Sequence, residues 1–221
     1  MRFTTPLRGL GLATVTCAAL CAAPVAQATN TLVTSGWANG YESFAVSNHS
    51  GTVPAGGFTG TWNGTPIVFW CEELGQSFGL GGTYTDYTAA PLVNLRLSEL
   101  FQADLNSALT GPVNVNSAAF QLAIWNIIYD NDNFVNSGSW FASGDANAIN
   151  LANSWLASLP ASSSLSLMQL TSRTHQDFVT PGSLPNCCGD VPEPSPLPLL
   201  GAGLAAMLFA MRNRRINGRF A

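Results

Sequence analysis

The segment AAFQLAIWNIIYD, residues 118–130, places a glutamine in the middle of an otherwise apolar helical face. Ile124, Trp125 and Ile128 follow Gln121 at i+3, i+4 and i+7, the spacing that puts residues on one side of an α-helix. We therefore expect Gln121 to point into the core with them. An amide buried without partners costs roughly 1–3 kcal/mol, so another part of the chain must provide a reason for its position.

Two more helices are predicted around this one. The stretch that starts at Pro91 has leucines at helical spacing, and proline is favoured in the first turn of a helix. The central helix covers residues 117–130, with Asn116 or Ser117 as a plausible N-cap. A third helix covers residues 145–159 and opens with an aspartate in the N-cap position.

The segments on both sides of the helices have strand character. Residues 29–90 are rich in Gly, Thr, Ser and aromatic residues, and Asn63-Gly64 between two short apolar runs is a strong hairpin signal. Residues 163–181 return to an alternating pattern. The order of strands, three helices and strands predicts a β-rich α+β fold, in which a sandwich- or barrel-like β core carries an inserted helical subdomain.

The N-terminus has the features of a Sec-type signal peptide. Arg2 and Arg8 form a basic start, an apolar stretch follows, and Ala26-Gln27-Ala28 is a small-x-small cleavage site. We predict that residues 1–28 are removed on export.

The C-terminus combines three features in a fixed order. A linker over residues 181–196 contains the box Pro192-Glu193-Pro194, and an apolar segment follows at residues 197–211. The chain then turns basic, with Arg212, Arg214 and Arg215. A helix of 15 residues is about 22 Å long, shorter than a hydrocarbon core of about 30 Å. The segment therefore suits transient membrane insertion, with its basic end kept in the cytoplasm.

This arrangement over residues 192–215 resembles the PEP-CTERM sorting signal of Gram-negative bacteria. The resemblance implies recognition by an exosortase-type processing enzyme, removal of the tail, and release or attachment at the cell surface or in an exopolysaccharide matrix. A simple C-terminal anchor is the alternative.

The part of the chain between these signals is strongly acidic. Residues 29–190 contain two arginines and eleven Asp or Glu, a net charge of −9 with histidine neutral, and the whole sequence has no lysine. Without a basic stripe to meet phosphates, nucleic acid is excluded as a partner. Asp130 and Asp132 look like part of a calcium loop but lack the glycine and final glutamate of an EF-hand, so we interpret them as a helix C-terminal turn and predict no metal.

Three cysteines remain after signal-peptide removal. Cys187 and Cys188 are adjacent in the linker, and their Cα atoms, about 3.8 Å apart, are closer than the usual disulfide range. Cys71 ends the apolar run PIVFWC. Taken alone, Cys71 fits a buried free cysteine.

Taken together with the glutamine helix, Cys71 suggests a different chemistry. Trp70-Cys71, and about fifty residues later Gln121-Leu122-Ala123-Ile124-Trp125, resemble the two motifs of the thioester domains of bacterial surface adhesins. The resemblance implies that residues 29–180 form a thioester-type domain in which the Cys71 thiol replaces ammonia on the Gln121 carboxamide. The residues implied as a shield against water are Phe69, Trp70, Ile124 and Trp125.

The function implied is covalent capture of a surface or exopolysaccharide nucleophile, an amine or a hydroxyl, without a catalytic cycle or a cofactor. A lysine-free chain fits this hypothesis because it has no lysine amine that could consume its own thioester. A compositional bias of the genome is the alternative explanation. Gln76, five residues after Cys71, is a second and lower-ranked partner for the thiol.

Two other functions remain open from the sequence. Cys71 could be an enzyme nucleophile with His175 or His49 as base and Asp177 as the residue that orients it. The six tryptophans and many polar residues would also suit a non-covalent structural or carbohydrate-binding module.

Overall fold

The computed structural model describes residues 29–184. The predicted signal peptide, Cys187, Cys188 and the C-terminal sorting signal lie outside these residues. The three α-helices of the described part are α1 (Leu95–Thr110), α2 (Val115–Tyr129) and α3 (Ala146–Ala157). Its strands are β1 (Leu32–Trp37), β2 (Glu42–Val46), β3 (Thr52–Ala55), β4 (Phe58–Trp62), β5 (Thr65–Cys71), β6 (Thr83–Tyr84), β7 (Thr88–Leu92), β8 (Ala142–Ser143), β9 (Leu167–Thr171) and β10 (Phe178–Pro181).

The strands form two antiparallel sheets. A seven-stranded sheet has the order β6-β1-β4-β5-β10-β9-β7, and a three-stranded sheet has the order β3-β2-β8. The three helices follow β7 in the chain, and the last two strands return to the large sheet. The predicted β-rich α+β class is therefore confirmed.

The hairpin predicted at Asn63-Gly64 is confirmed and fixes the register of the central strands. Strands β4 and β5 pair antiparallel, with Trp62 opposite Thr65. Asn63 has φ 50° and Gly64 has φ 82°. Two positive φ angles in a two-residue loop match the twist of the flanking strands, and Asn-Gly adopts them at low cost. The tight turn sends β5 back along β4 and carries its end, Cys71, into the core.

Helix α2 is buried on nearly all sides. Its residues from Asn116 to Ile127 are buried, and the helix packs against α1, α3 and β3. A helix that is apolar all round belongs in the centre of a domain. Ile128, which we expected on the same buried face as Gln121, is 38% exposed. That expectation is wrong because the last turn of α2 extends beyond the elements that cover the rest.

The first predicted helix begins later than expected. Pro91 lies in β7, opposite Met168 of β9, and α1 begins at Leu95. Asn94 is its N-cap and accepts a hydrogen bond from the Leu97 N–H at 3.1 Å. Strand β7 is at the edge of the sheet, where a proline removes no hydrogen bond that a second neighbour would need.

The helix starts at α2 and α3 had different outcomes. Helix α2 begins at Val115, with Asn114 in the N-cap position at φ 69°, so the predicted N-caps Asn116 and Ser117 were wrong and both lie inside the helix. The N-cap of α3 is confirmed, because the Asp145 Oδ1 accepts a hydrogen bond from the Ala148 N–H at 2.8 Å.

Candidate functional site

The Gln121 side chain is paired with the backbone of Cys71. The Cys71 N–H donates to Gln121 Oε1 at 3.0 Å, and Gln121 Nε2 donates to the Cys71 carbonyl at 2.8 Å. Gln121 is 0% exposed and Cys71 is 4% exposed. Both polar ends of the buried amide therefore have partners, which removes the cost expected for an unpaired one.

The strand arrangement explains why this partner is needed. Strand β4 begins at Phe58, which pairs with Phe69 of β5, so β4 does not reach Cys71 at the end of β5. On the other side of β5, Phe178 of β10 pairs with Cys71. Because the N–H and C=O of one residue in an antiparallel strand point to the same side, those of Cys71 face the edge that β4 does not reach. The Gln121 side chain, which comes from α2, lies at that edge and makes the two backbone hydrogen bonds with Cys71 that a neighbouring strand would otherwise make.

A second residue of α2 performs a similar role one turn earlier. The Ser117 Oγ accepts a buried hydrogen bond from the N–H of Gly57 at 2.9 Å, just before β4 begins. Ser117 and Gln121 are four residues apart and so share a face of the helix. This polar stripe joins α2 to the large sheet. The sequence reasoning missed the role of Ser117, although its i−4 spacing from Gln121 was a usable signal.

The Cys71 side chain is a neutral thiol in this environment. Cys71 is a free cysteine, and burial raises the pKa of its thiol well above the ordinary value, with the charge of Glu73 adding to the effect. A thiolate is therefore not the resting form. Any reaction of Cys71 with the neighbouring amide must move the thiol proton during the attack.

The four residues predicted as a shield are all buried. Phe69, Trp70 and Ile124 are 0% exposed and Trp125 is 1% exposed. Trp70 packs edge-on against Phe101 on the helical side. Their role in excluding water remains a prediction.

A cavity of about 350 Å³ opens onto Cys71. Its walls come from β1, the β2–β3 turn, the loop after β5, and α2. Gln76, the second predicted partner of the thiol, lies on this wall rather than in contact with the Cys71 backbone. The residues lining the cavity are Trp37, His49, Thr52, Val53, Pro54, Phe58, Cys71, Leu74, Gln76, Ser77, Phe78, Leu80, Trp125 and Gln176.

The two histidines lie in different surroundings. His175 Nδ1 lies 3.1 Å from Asp86 Oδ2, and its ring contacts the ring of Tyr84. Asp177 accepts a hydrogen bond from the Ser172 N–H. Among the hydrogen bonds of residues 29–184, none joins His175 to Asp177 or to Cys71. His49 is the histidine that shares the cavity with Cys71.

The acidic pair after α2 serves the turn that ends the helix. Asp130 is the C-cap residue of α2 and accepts a hydrogen bond from Ser139 Oγ at 2.6 Å. Asp132 Oδ1 accepts from Asn126 Nδ2 and from the Phe134 N–H, both at 2.8 Å. Within residues 29–184, no group of three or more His, Cys, Asp or Glu side chains is placed to hold a metal ion.

Glu72 lies next to the site but faces a separate groove. It is 7% exposed, and its Oε2 accepts a hydrogen bond from Gln169 Nε2 at 2.7 Å. Burial raises the pKa of Glu72 from 4.5 to about 7; the charges of Asp177 and Glu73 act in the same direction, and the bond from Gln169 opposes them.

Replacing Glu72 with glutamine is expected to stabilise the protein at alkaline pH. Because the folded-state pKa is raised, the stability associated with neutral Glu72 is fully present below pH 4.5 and is lost as the pH rises through about 7. Glu72→Gln should therefore match the wild type near pH 4 and exceed it at pH 8 by roughly 2–3 kcal/mol. Urea unfolding at the two pH values measures the difference.

The stability contributed by Asp86 depends on pH in the opposite direction to that contributed by Glu72. Hydrogen bonds from Ser172, His175 and Thr174 lower the pKa of Asp86 to about 2, so its contribution is present above pH 4 and is lost as the pH falls. Asp86→Asn should therefore cost stability at pH 8, where Glu72→Gln gains it. Equal stability of Glu72→Gln and wild type at pH 8 would contradict the role assigned to Glu72.

Comparison with known proteins identifies the C-terminal signal. Residues 190–215 match the PEP-CTERM protein-sorting motif. The motif supports export of the chain, processing by an exosortase, and a cell-surface or extracellular location. The predicted PEP-CTERM sorting signal is thereby confirmed, and the box Pro192-Glu193-Pro194 and the basic end lie within the matched residues.

Comparisons with curated proteins and with solved structures gave no match. The thioester resemblance thus rests on the two motifs and on the geometry around Cys71. Among residues 29–184, no helix has both the length and the apolar character needed to cross a membrane. The apolar segment predicted to insert transiently, residues 197–211, lies outside that part of the chain.

Proposed function

We propose that this exported surface or matrix protein captures a partner covalently through an internal thioester between Cys71 and Gln121. The observation that carries the proposal is the buried double hydrogen bond between the Gln121 amide and the backbone of Cys71, a residue that lines the cavity. Those two contacts hold the carboxamide beside the residue that carries the thiol. Holding two reacting groups together in this way can remove a large part of the barrier to their reaction.

The same contacts suit the chemistry of thioester formation. The Cys71 N–H that donates to Gln121 Oε1 polarises the carbonyl and would stabilise the negative charge that develops on that oxygen. The Cys71 Sγ–C bond forms, the C–Nε2 bond of Gln121 breaks, and the thiol proton leaves with the nitrogen as ammonia. No thiolate is required beforehand, which accords with the raised thiol pKa.

Capture is the second half of the proposed reaction. A hydroxyl or amine of the partner attacks the carbonyl carbon of residue 121, the C–S bond breaks, and the Cys71 sulfur receives the proton. The partner is then held by an ester or amide bond. Because the thioester is not regenerated, this is one covalent event per molecule and not enzymatic turnover, although the acyl chemistry is that of an acyl-enzyme.

Mass spectrometry of the full chain tests the proposal. The wild type is expected to be lighter than its calculated mass by one ammonia, with the loss located on the peptides that contain Cys71 and Gln121. Treatment with methylamine at mild pH should then add one methylamine to Gln121 and free the Cys71 thiol for alkylation.

Three variants provide the controls. Cys71→Ala and Gln121→Ala should both show the full calculated mass and no methylamine adduct, while Gln76→Ala should behave like the wild type. A wild-type chain with an unmodified Gln121 and no methylamine adduct would reject the thioester. Gln121 would then be a structural residue that completes the sheet.

A further inference from the structure

The cavity that opens onto Cys71 is lined by aromatic, aliphatic and polar side chains, among them His49. Trp37, Phe78 and Trp125 contribute rings, and Gln76 and Ser77 contribute an amide and a hydroxyl. No Asp, Glu, Lys or Arg is among its lining residues within the described part of the chain, and its volume falls in the range of small-molecule sites.

The side chain of Trp125 forms part of the cavity wall. Trp125 lines the cavity and is 1% exposed, and its Nε1 has no hydrogen-bond acceptor. Trp125 is four residues after Gln121, so the two side chains share a face of α2. Because Nε1 has almost no accessible surface, Trp125 contributes its ring and not this donor to the cavity.

The nearby carboxylates do not change this character. Glu72, Glu73 and Asp177 line a separate groove. The charge of Glu73 reaches the Cys71 thiol, as the direction of its pKa indicates, but no carboxylate side chain is on the cavity wall to pair with an incoming ammonium ion.

We propose that the cavity selects a carbohydrate hydroxyl, and not a lysine amine, as the nucleophile. This inference rests on the proposed thioester. A sugar ring combines apolar faces, which pack on aromatic side chains, with hydroxyl groups that bond to amides and hydroxyls. A lysine ammonium would have to lose its hydration without a counter-charge, which is unfavourable.

The product of the selected reaction is an ester. The sugar oxygen bonds to the carbonyl carbon of residue 121, the bond from that carbon to the Cys71 sulfur breaks, and the hydroxyl proton passes to the sulfur. No oxidant or cofactor takes part. An ester, unlike the amide that lysine would form, is cleaved by hydroxylamine, and this difference identifies the product.

Competition between defined nucleophiles tests the proposal. The full chain is incubated at pH 7 with methyl glycosides of glucose, galactose and mannose, and with Nα-acetyl-lysine amide at the same concentration. We expect hydroxylamine-sensitive adducts of at least one glycoside to accumulate about tenfold faster than the lysine adduct. Faster lysine capture than capture of every glycoside would overturn the proposal while leaving the thioester intact.

A charge introduced into the cavity gives a sharper test. Gln76→Glu places a carboxylate on the wall and is expected to shift the ratio of adducts toward lysine by about tenfold. The matched control is Gln102→Glu, which adds the same charge on the surface of α1, where Gln102 contacts Ser163 and Ser164. The control should leave the ratio unchanged.

The outcomes separate this inference from the proposed function. No ammonia loss and no methylamine adduct in the wild type would reject both. A methylamine adduct, together with a lysine preference that Gln76→Glu does not alter, would reject only the carbohydrate selection. A glycoside preference that Gln76→Glu reduces and Gln102→Glu preserves would support it.

Discussion

Replacing Gln121 with leucine is expected to abolish covalent capture and to destabilise the protein by roughly 2–4 kcal/mol even where no thioester can form. Leucine has a similar size but can neither accept from the Cys71 N–H nor donate to the Cys71 carbonyl. Both backbone groups would remain buried without partners, at about 1–3 kcal/mol each, and the extra apolar burial offsets only part of that cost.

The measurement is urea unfolding in a Cys71→Ala background. Alanine removes the thiol but keeps the backbone N–H and C=O that the amide contacts, so comparison of Cys71→Ala with Cys71→Ala/Gln121→Leu isolates the hydrogen bonds. In the wild-type background the thioester has already replaced Nε2 and its hydrogen bond, so the same substitution removes the bond accepted by the carbonyl oxygen together with a cross-link across 50 residues, for which the loop-entropy relation used for disulfides gives about 4 kcal/mol.

A cost below about 1 kcal/mol in the Cys71→Ala background would show that the amide is not needed to complete the sheet. Ser117→Ala offers a graded comparison, because it removes a single buried bond, from the Gly57 N–H. It should cost roughly 1–2 kcal/mol and leave capture in place. Together, the two variants distinguish the structural contribution of the polar stripe on α2 from the chemistry of Gln121.

Helical periodicity predicted the burial of Gln121, whereas Cys71 as its partner came only from the resemblance to thioester domains. Helical periodicity placed a polar residue in an apolar face, and burial without a partner is costly enough to require a second segment. What the periodicity could not give is the form of the contact. The Gln121 amide makes hydrogen bonds with the backbone of Cys71. Those backbone groups lack a strand partner because β4 begins at Phe58 while β5 continues to Cys71.

The errors in element boundaries have a shared physical cause. Pro91 indicated a helix start but lies in β7, and a second proline, Pro54, lies in β3. Both strands are at the edge of their sheets, where proline is tolerated because only one side of the strand needs hydrogen bonds. Whether a strand is at an edge depends on sheet order, which the local sequence does not encode.

The cavity was also beyond sequence reasoning. Its walls combine Trp37 of β1, His49 of the β2–β3 turn, Phe78 of the loop after β5 and Trp125 of α2. Each of these residues, read locally, fits a core or turn position. Only the paired sheets bring them together around Cys71, so the absence of charge on the wall could not be read from any single segment.

The second large loss of stability is expected on substitution of Gly60, in the middle of β4. A Cβ atom at this position would lie 2.0 Å from the carbonyl oxygen of Val33 on β1 and 3.1 Å from the ring of Phe69 on β5. The closer atom belongs to the backbone and cannot rotate away. Gly60→Ala must therefore separate β1 from β4, and we expect a loss of roughly 3 kcal/mol or more.

Gly36 provides the matched control on the neighbouring strand. It lies in β1, next to the register shift that follows Thr34, and a Cβ there would meet nothing within 4 Å. Gly36→Ala should be neutral or stabilise by less than about 1 kcal/mol, because alanine restricts the unfolded chain. Thermal unfolding of Gly60→Ala and Gly36→Ala compares the same substitution at two strand positions that differ mainly in the room available for a Cβ atom.

The functional consequence follows from the connection between β4 and Cys71. Strand β4 sets the register of β5 through the turn at Asn63-Gly64, so a displaced β4 also displaces Cys71 from Gln121. Gly60→Ala is expected to lose stability and methylamine labelling together, whereas Gly36→Ala should keep both. A Gly60→Ala protein with wild-type stability and labelling would mean that β1 and β4 yield at this contact without cost, contrary to a tightly packed sheet.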